Sequence, residues 1–189
     1  MKNVAIFASG SGTNAEAIVT HFNNSESISV KCILSNKKDA FVLERAKKFD
    51  LKTLVFNRTE LNESDEVDIF LKENKVDFIV LAGFMLLFPA RLVAKYPGRV
   101  VNIHPALLPK YGGKGMYGMY VHQAVVDNNE SESGISIHWV NEHYDEGQII
   151  FQATCQILPN DSAEDVAHKV HQLEYEHYPK VIESLVEKL

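Results

Sequence analysis

The chain has 189 residues, of which 46% are hydrophobic, 23% charged and 10% aromatic, a composition typical of one globular domain. Its 19 Lys and Arg residues and 25 Asp and Glu residues give a net charge of −6, so we expect neither nucleic acid nor an anionic membrane as a partner. The sequence has no signal-peptide core and no run of about 18 apolar residues, which argues against secretion and membrane spanning. Cys32 and Cys155 lie in separate apolar runs, which favours buried free thiols and a cytoplasmic location.

The N-terminal half alternates short apolar runs with amphipathic segments. Strands are predicted at residues 4–8, 30–34, 53–56, 78–82 and 100–103, and helices after residue 13 and at residues 41–49, 65–72 and 89–94. This repeated order of strand and helix predicts an α/β, Rossmann-like fold with a mostly parallel, twisted sheet flanked by helices. In such a fold the ligand site lies at the carboxyl ends of the strands.

The C-terminal part departs from this alternation. Residues 110–121 (KYGGKGMYGMYV) are rich in glycine and tyrosine, which predicts an irregular, lid-like loop able to close over a ligand. Residues 134–140 and 148–153 are predicted as strands on either side of a polar loop, and residues 162–189 as a long helix kinked at Pro179. We therefore expect a single domain over residues 1–189, with a mixed C-terminal portion of the sheet and a long C-terminal helix.

A glycine-rich turn follows the first predicted strand and opens the first predicted helix. The main-chain N–H groups of residues 10–15 (GSGTNA) and the positive end of the helix predict a phosphate site, with Thr13 or Asn14 as the helix cap. The turn also matches the dinucleotide-binding pattern, but residues 34–38 (LSNKK) lack the acidic residue that would bind a ribose hydroxyl of NAD. A tight turn without a ligand is the alternative.

Asn102 and His104 lie two residues apart at the end of the fifth predicted strand, so their side chains point to the same side of the sheet. An amide donor beside an imidazolium is suited to holding a carbonyl oxygen that gains negative charge during acyl transfer. The alternative is a capping Asn and an ordinary surface His. Asp145 would raise the pKa of His104 if the fold brought the two together, but its spacing alone indicates only a solvated charge.

Two further groups of residues have both a structural and a ligand-binding interpretation. His168, His171 and Glu174 are three residues apart on the last predicted helix; without a cysteine or an HExxH-type signature, an ion-pair stripe is favoured and no metal is predicted. The apolar run at residues 85–88 (MLLF) follows the fourth predicted strand, where core packing is the usual explanation and an aromatic ligand is the alternative.

Four segments together resemble the phosphoribosylglycinamide formyltransferases, the folate-dependent enzymes of purine synthesis. They are the turn at residues 9–14 (SGSGTN), residues 81–85 (LAGFM), residues 102–109 (NIHPALLP) and the loop at residues 145–147 (DEG). The resemblance spans nearly the whole chain and implies the family's mixed, mostly parallel sheet. It also implies transfer of a formyl group from 10-formyltetrahydrofolate, the co-substrate, to the amine of phosphoribosylglycinamide, without a metal.

For catalysis, the resemblance implies that Asn102 and protonated His104 hold the formyl oxygen while the substrate amine attacks. Asp145 would complete the catalytic set by raising the pKa of His104. No covalent enzyme intermediate is implied.

For binding, the resemblance implies one set of residues for each substrate. The set for phosphoribosylglycinamide comprises Gly12, Thr13 and Asn14 at the phosphate, and His171 and Glu174 at the glycinamide end. The set for the folate comprises Arg58 at the glutamate tail and Met85, Leu86, Leu87, Phe88, Asn102, Asn141, Glu142, His143, Tyr144 and Asp145. Two features depart from the family pattern: Leu86 stands where many members carry Arg, and the segment 112–121 is longer, with only His122 remaining of a His-x-His-like pair.

Three other functions stay open from the sequence. A formyltetrahydrofolate hydrolase would use the same Asn, His and Asp on water, but those enzymes usually carry an extra N-terminal regulatory domain, whereas this fold is predicted to start at Val4. A methionyl-tRNA formyltransferase adds a C-terminal RNA-binding domain, and the net charge of −6 opposes tRNA binding. A noncatalytic nucleotide-binding sensor would use only the glycine-rich turn.

The chain is expected to be a monomer or a homodimer.

Overall fold

Seven strands and seven helices are present in the computed structural model, which describes all 189 residues. The strands are β1 (Lys2–Phe7), β2 (Ile28–Ser35), β3 (Lys52–Val55), β4 (Phe78–Leu81), β5 (Val100–His104), β6 (Glu132–Trp139) and β7 (Ile149–Gln156). The helices are α1 (Thr13–Phe22), α2 (Phe41–Lys48), α3 (Arg58–Glu63), α4 (Glu66–Glu73), α5 (Ala90–Lys95), α6 (Met119–Asp127) and α7 (Ala163–Val186).

One sheet contains all seven strands, in the order β3-β2-β1-β4-β5-β6-β7. The strands from β3 to β5 are parallel, and β6 and β7 join the β5 edge in antiparallel orientation. The prediction of a Rossmann-like, mostly parallel sheet with a mixed C-terminal portion and a long C-terminal helix is confirmed.

Successive residues of β1 point to opposite faces of the sheet and contribute to two separate cores. Val4 and Ile6 pack in the core that α1 and α7 cover, whereas Ala5 and Phe7 pack in the core on the other face, with residues of α3, α4 and α5. All four side chains are fully buried. A strand covered by helices on both faces requires a continuous apolar run, which is why the sequence predicts it well.

The helices differ from the prediction at three places. Gly12, not Thr13 or Asn14, is the N-cap of α1, and no side chain caps this helix. Helix α3 was not predicted, because its six residues carry little periodicity; a capping box between Asn57 and Glu60 stabilises its start. Helix α6 begins inside the segment that was predicted to be irregular throughout. The long C-terminal helix, α7, is present as predicted and contains Pro179.

The two cysteines are free thiols in different surroundings. Cys32 is buried in β2, and its burial raises the thiol pKa to about 12. Cys155 is only half-buried, because alternate residues of the edge strand β7 face solvent. None of the helices combines the length and the apolar character that spanning a bilayer requires.

Candidate active site

A cavity of about 510 Å³ lies at the carboxyl ends of β1, β4 and β5. Loop residues 113–118 and helix α7 contribute to its walls. Eleven of the predicted site residues line this cavity: Gly12, Thr13, Asn14, Arg58, Met85, Asn102, His104, Tyr144, Asp145, His171 and Glu174. The fold therefore brings together residues that are far apart in the sequence.

The glycine-rich turn between β1 and α1 forms one wall of the cavity. Gly12 has a φ of +74°, and a Cβ atom there would lie 2.4 Å from Val42 Cγ2, so only glycine fits. Helix α2 holds the turn, since Val42 N–H donates to Gly10 O at 3.1 Å and Arg45 Nε donates to Ser11 O at 2.8 Å. The N–H groups of the first turn of α1 have no partner within the helix and are available to an anion.

Asn102, His104 and Asp145 form one polar cluster at the end of β5. Asn102 Nδ2 lies 3.4 Å from Asp145 Oδ1, and His104 Nδ1 lies 3.5 Å from Asp145 Oδ2. The main-chain N–H of Gly113 donates to Asp145 Oδ2 at 3.0 Å, which attaches the glycine-rich loop to the same carboxylate. Asn102 and His104 of the predicted catalytic set thus both lie within 3.5 Å of the third member, Asp145.

His104 is nearly fully buried, with both ring nitrogens facing oxygen acceptors. Nε2 donates to Tyr111 O at 2.7 Å, and Nδ1 faces Asp145. Burial disfavours the imidazolium, whereas the Asp145 carboxylate and the Tyr111 carbonyl favour it; burial prevails and lowers the pKa of His104. The predicted effect of Asp145 has the expected sign, but the net shift is opposite to the expected rise.

The Asp145 carboxylate is stabilised in its charged form. Burial acts to raise its pKa, but His138, His104 and the N–H of Gly113 together hold that pKa below its usual value. Asp145 has a φ of +55°, a left-handed conformation that Asp tolerates better than most residues. Asp145 is therefore a fixed negative charge beside two histidines.

His138 is a site residue that the sequence did not identify. It pairs with Asn102 across the β5–β6 ladder, and its Nε2 lies 3.0 Å from Asn102 Nδ2. Its Nδ1 donates to Trp139 O at 2.9 Å, so in the neutral ring Nε2 is the acceptor for the Asn102 amide. Only the register between β5 and β6 reveals this contact, and the alternation of β6 by itself does not fix that register.

A second polar cluster joins α1 to α7. Asn14 Nδ2 donates to Glu174 Oε2 at 2.8 Å, and His171 Nδ1 lies 2.8 Å from the same oxygen. Glu174 is buried, and its hydrogen bond with His171 raises the pKa of that imidazole against the effect of burial. His168 is exposed one turn earlier and contacts Gln172 instead.

The predicted folate residues separate into those inside and those outside the cavity. Arg58, Met85 and Tyr144 line it, whereas six residues do not: Leu86, Leu87, Phe88, Asn141, Glu142 and His143. The expected side-chain contact of Phe88 is not available, since its ring packs edge-on against Phe7 in the core at 5.2 Å.

Phe84, Lys114 and His122 are among the lining residues that the sequence did not assign to either substrate. Phe84 directly precedes the predicted run 85–88, so a one-residue wider window would have included it. Lys114 and His122 lie in or next to the glycine-rich segment, whose path the sequence does not fix.

Comparisons with known proteins agree with this geometry. The family model described as "Formyl transferase" matches residues 2–182. The chain is 39% identical to the chloroplastic phosphoribosylglycinamide formyltransferase of Arabidopsis thaliana, covering 99% of this chain and 66% of that protein. It is 36% identical to the phosphoribosylglycinamide formyltransferase of Haemophilus influenzae, covering 99% of this chain and 88% of that protein.

Solved structures show the same likeness. The phosphoribosylglycinamide formyltransferase of Bacillus halodurans superposes with a TM-score of 0.88 at 36% identity, covering 99% of this chain and 96% of that one. The fold, the cavity and the sequence matches over nearly the full length agree, and the chain belongs to the phosphoribosylglycinamide formyltransferases within the formyl transferase family.

Proposed function

We propose that this chain transfers the formyl group of 10-formyltetrahydrofolate to the amine of phosphoribosylglycinamide, in purine synthesis. The observation that carries the proposal is the meeting of Asn102, His104 and Asp145 in the same cavity as the glycine-rich turn. Both substrates are small molecules. Residues of one chain line the whole cavity, which contains the glycine-rich turn for one substrate and Arg58, Met85 and Tyr144 for the other. We propose residues 1–189 as a single formyltransferase domain that needs no second copy for the chemistry.

The reaction joins the substrate amine to the formyl carbon and then breaks the bond between that carbon and N10 of the folate. The formyl oxygen gains negative charge in the tetrahedral intermediate, and the Asn102 amide and the His104 imidazolium stabilise it. The attacking amine loses one proton and the departing folate nitrogen gains one, so the overall reaction needs no further reactant. Asp145 supplies the negative charge that stabilises His104 while it carries the proton.

The loop before α6 has to move during this cycle. Because His104 Nε2 donates to Tyr111 O, His104 reaches a formyl oxygen only after this carbonyl has withdrawn. Asn102 likewise exchanges its long contact with Asp145 for the formyl oxygen while it keeps its shorter one with His138.

The remaining lining residues divide between the two substrates. The N–H groups of Gly12, Thr13 and Asn14 suit the phosphate. Glu174 and His171 suit the rest of phosphoribosylglycinamide, since a buried carboxylate attracts donors. The folate ring has apolar neighbours in Met85, Phe84 and Tyr144, and Arg58 offers a cation for the glutamate tail.

The decisive test measures tetrahydrofolate release from 10-formyltetrahydrofolate with and without phosphoribosylglycinamide, while mass spectrometry follows the formylated product. Turnover that depends on the amine supports the transferase. Folate turnover without the amine, yielding formate, indicates the hydrolase instead. Binding of phosphoribosylglycinamide without any turnover indicates the sensor.

The matched variant is His104→Ala. Loss of the group that stabilises the oxyanion and carries the proton should lower kcat by about 10²–10⁴-fold, while phosphoribosylglycinamide still binds. A variant with kcat near wild type would contradict the role of His104.

A further inference from the structure

His122, on the first turns of α6, carries a buried polar atom without a partner. The residue is 1% exposed and lines the cavity, and its Nδ1 atom makes no hydrogen bond. Its ring lies edge-on to that of His171, with centroids 6.2 Å apart. Burial, together with nearby His171, lowers the pKa of His122 to about 4, so the ring is neutral at pH 7. A buried polar atom of this kind calls for a ligand or water to bind it.

Asn14 carries a second such atom in the same cavity. Its Nδ2 donates to Glu174, but its Oδ1 is buried and has no partner. Oδ1 can only accept hydrogen bonds, and a neutral imidazole offers one acceptor nitrogen. The two residues therefore present a pair of unused polar atoms around Glu174.

The order of groups in the cavity matches the order of groups in the proposed substrate. Asn14 belongs to the glycine-rich turn, where the phosphate would bind, and it contacts Glu174. His122 lines the same cavity as His104, and its ring packs edge-on against His171, which contacts the same Glu174 carboxylate. This places His122 and Glu174 in the part of the cavity between the phosphate turn and the reacting end. In a phosphoribosyl compound, the ribose and its two hydroxyls occupy that intermediate position.

We propose that His122 is a substrate-binding residue, and that its ring and Asn14 Oδ1 bind the hydroxyls of the substrate ribose. This inference rests on the proposed function for the identity of the substrate. It adds a residue from the long glycine-rich segment to the sugar site, and it predicts discrimination against substrates that lack a ribose hydroxyl.

The first test is the variant His122→Phe, whose ring fills the same space without a hydrogen-bonding atom. The KM for phosphoribosylglycinamide should rise about tenfold, as expected for the loss of one buried hydrogen bond, while the folate KM and kcat change less than threefold. His168→Phe, on exposed α7 surface, is the matched control and should leave all three constants unchanged. A KM for His122→Phe equal to that of wild type would overturn the proposal.

The second test uses substrate analogues that lack the 2- or 3-hydroxyl of the ribose. Wild type should bind at least one analogue about tenfold more weakly than the parent, and His122→Phe should no longer discriminate against that analogue. Equal discrimination by both proteins would assign the hydroxyl contact to another residue.

A third readout needs no turnover. In wild-type protein, the ¹⁵N resonance of His122 Nδ1 should shift when phosphoribosylglycinamide is added and stay in place when only the folate is added. This experiment also decides the question if His122→Phe fails to fold. If the wild type shows ribose-dependent binding and this shift but no formyl transfer, the proposed function fails and the assignment of His122 stands; the reverse result removes His122 alone.

Discussion

His138 determines how the amide of Asn102 is oriented. Its Nε2 accepts a hydrogen bond from Asn102 Nδ2, while its own Nδ1 is fixed by Trp139 O. An Asn amide can flip and exchange its oxygen for its nitrogen. Because His138 Nε2 is an acceptor in this tautomer, it selects the orientation in which Asn102 Nδ2 faces it, and the second N–H of Nδ2 is left for the substrate. The same Nε2 also lies 3.5 Å from Asp145 Oδ1, so His138 is a positioning residue that contacts both Asn102 and Asp145.

The variant His138→Phe tests this role. It should lower kcat by about 100-fold through misorientation of Asn102, with both KM values changed less than threefold. His138→Gln, whose amide oxygen can accept the same bond, should recover part of the loss. If the Phe variant keeps full kcat, or if Gln is no better than Phe, Asn102 does not depend on His138.

The buried histidine on α6 also links folding stability to pH. In the unfolded chain His122 binds a proton below pH 6.5, whereas in the folded chain it does so only below about pH 4. Between these values the unfolded state binds more protons, so stability rises with pH and falls on acidification through this window. Glu174 opposes this shift and His171 and His104 reinforce it.

Urea unfolding at pH 4.5 and pH 7 measures this linkage. Without ligand, the free energy of unfolding of wild type should fall when the pH is lowered from 7 to 4.5. This fall should be about 2 kcal/mol larger than that of His122→Phe, in which the titrating group is absent. Parallel losses in the two proteins would show that the His122 ring is not held in its neutral form.

At the scale of elements, the turn from β6 to β7 requires a residue without a side chain. A Cβ atom on Gly147 would lie 1.6 Å from Trp139 O. The backbone of this turn passes against the end of β6, where Trp139 N–H donates to Gln148 O at 2.9 Å. This close approach fixes the loop that presents Asp145 to the cavity.

Gly147→Ala should therefore reduce the free energy of unfolding by about 2–4 kcal/mol, because main-chain atoms have to move to admit the methyl group. Gly10→Ala is the control for stability, since its Cβ would meet nothing within 4 Å. Urea denaturation of both variants checks the difference. Equal stabilities would mean that the turn can relax without cost.

At the scale of the whole molecule, one tyrosine connects the last helix to the middle of the sheet. Tyr178 of α7 is fully buried, and its hydroxyl donates to Leu81 O at 2.9 Å, with Val101 O also within reach at 3.3 Å. These carbonyls belong to β4 and β5, whose carboxyl ends support the cavity. Tyr178 thereby holds α7, which carries His171 and Glu174, against the middle of the sheet beside β4 and β5.

Tyr178→Phe should lower the free energy of unfolding by about 1–3 kcal/mol, since the buried Leu81 carbonyl loses the hydroxyl that donates to it. Tyr175→Phe, on the exposed side of the same helix, should change it by less than about 0.5 kcal/mol. Thermal or urea unfolding compares the two. A Tyr178→Phe protein as stable as wild type would show that the hydroxyl contributes nothing.

The sequence predicts this architecture better than it predicts the site. The apolar runs of β1 and β4 follow directly from burial on both faces, and the spacing of Asn102 and His104 places them together. The contact with Asp145, the role of His138 and the position of His122 depend on strand register and on the path of residues 110–118, which local patterns do not fix. Likewise, residues 85–88 look uniformly apolar, yet Met85 faces the cavity and Phe88 the core.

The hydrogen bond between Asn14 and Glu174 joins residues 160 positions apart. During synthesis on the ribosome, the glycine-rich turn emerges 160 residues before the carboxylate that it contacts. The growing chain therefore has no complete cavity with which to retain substrate, and β1 to β5 have to assemble on their own apolar contacts. Metabolite supply can protect the finished protein from unfolding, but it cannot assist the nascent one.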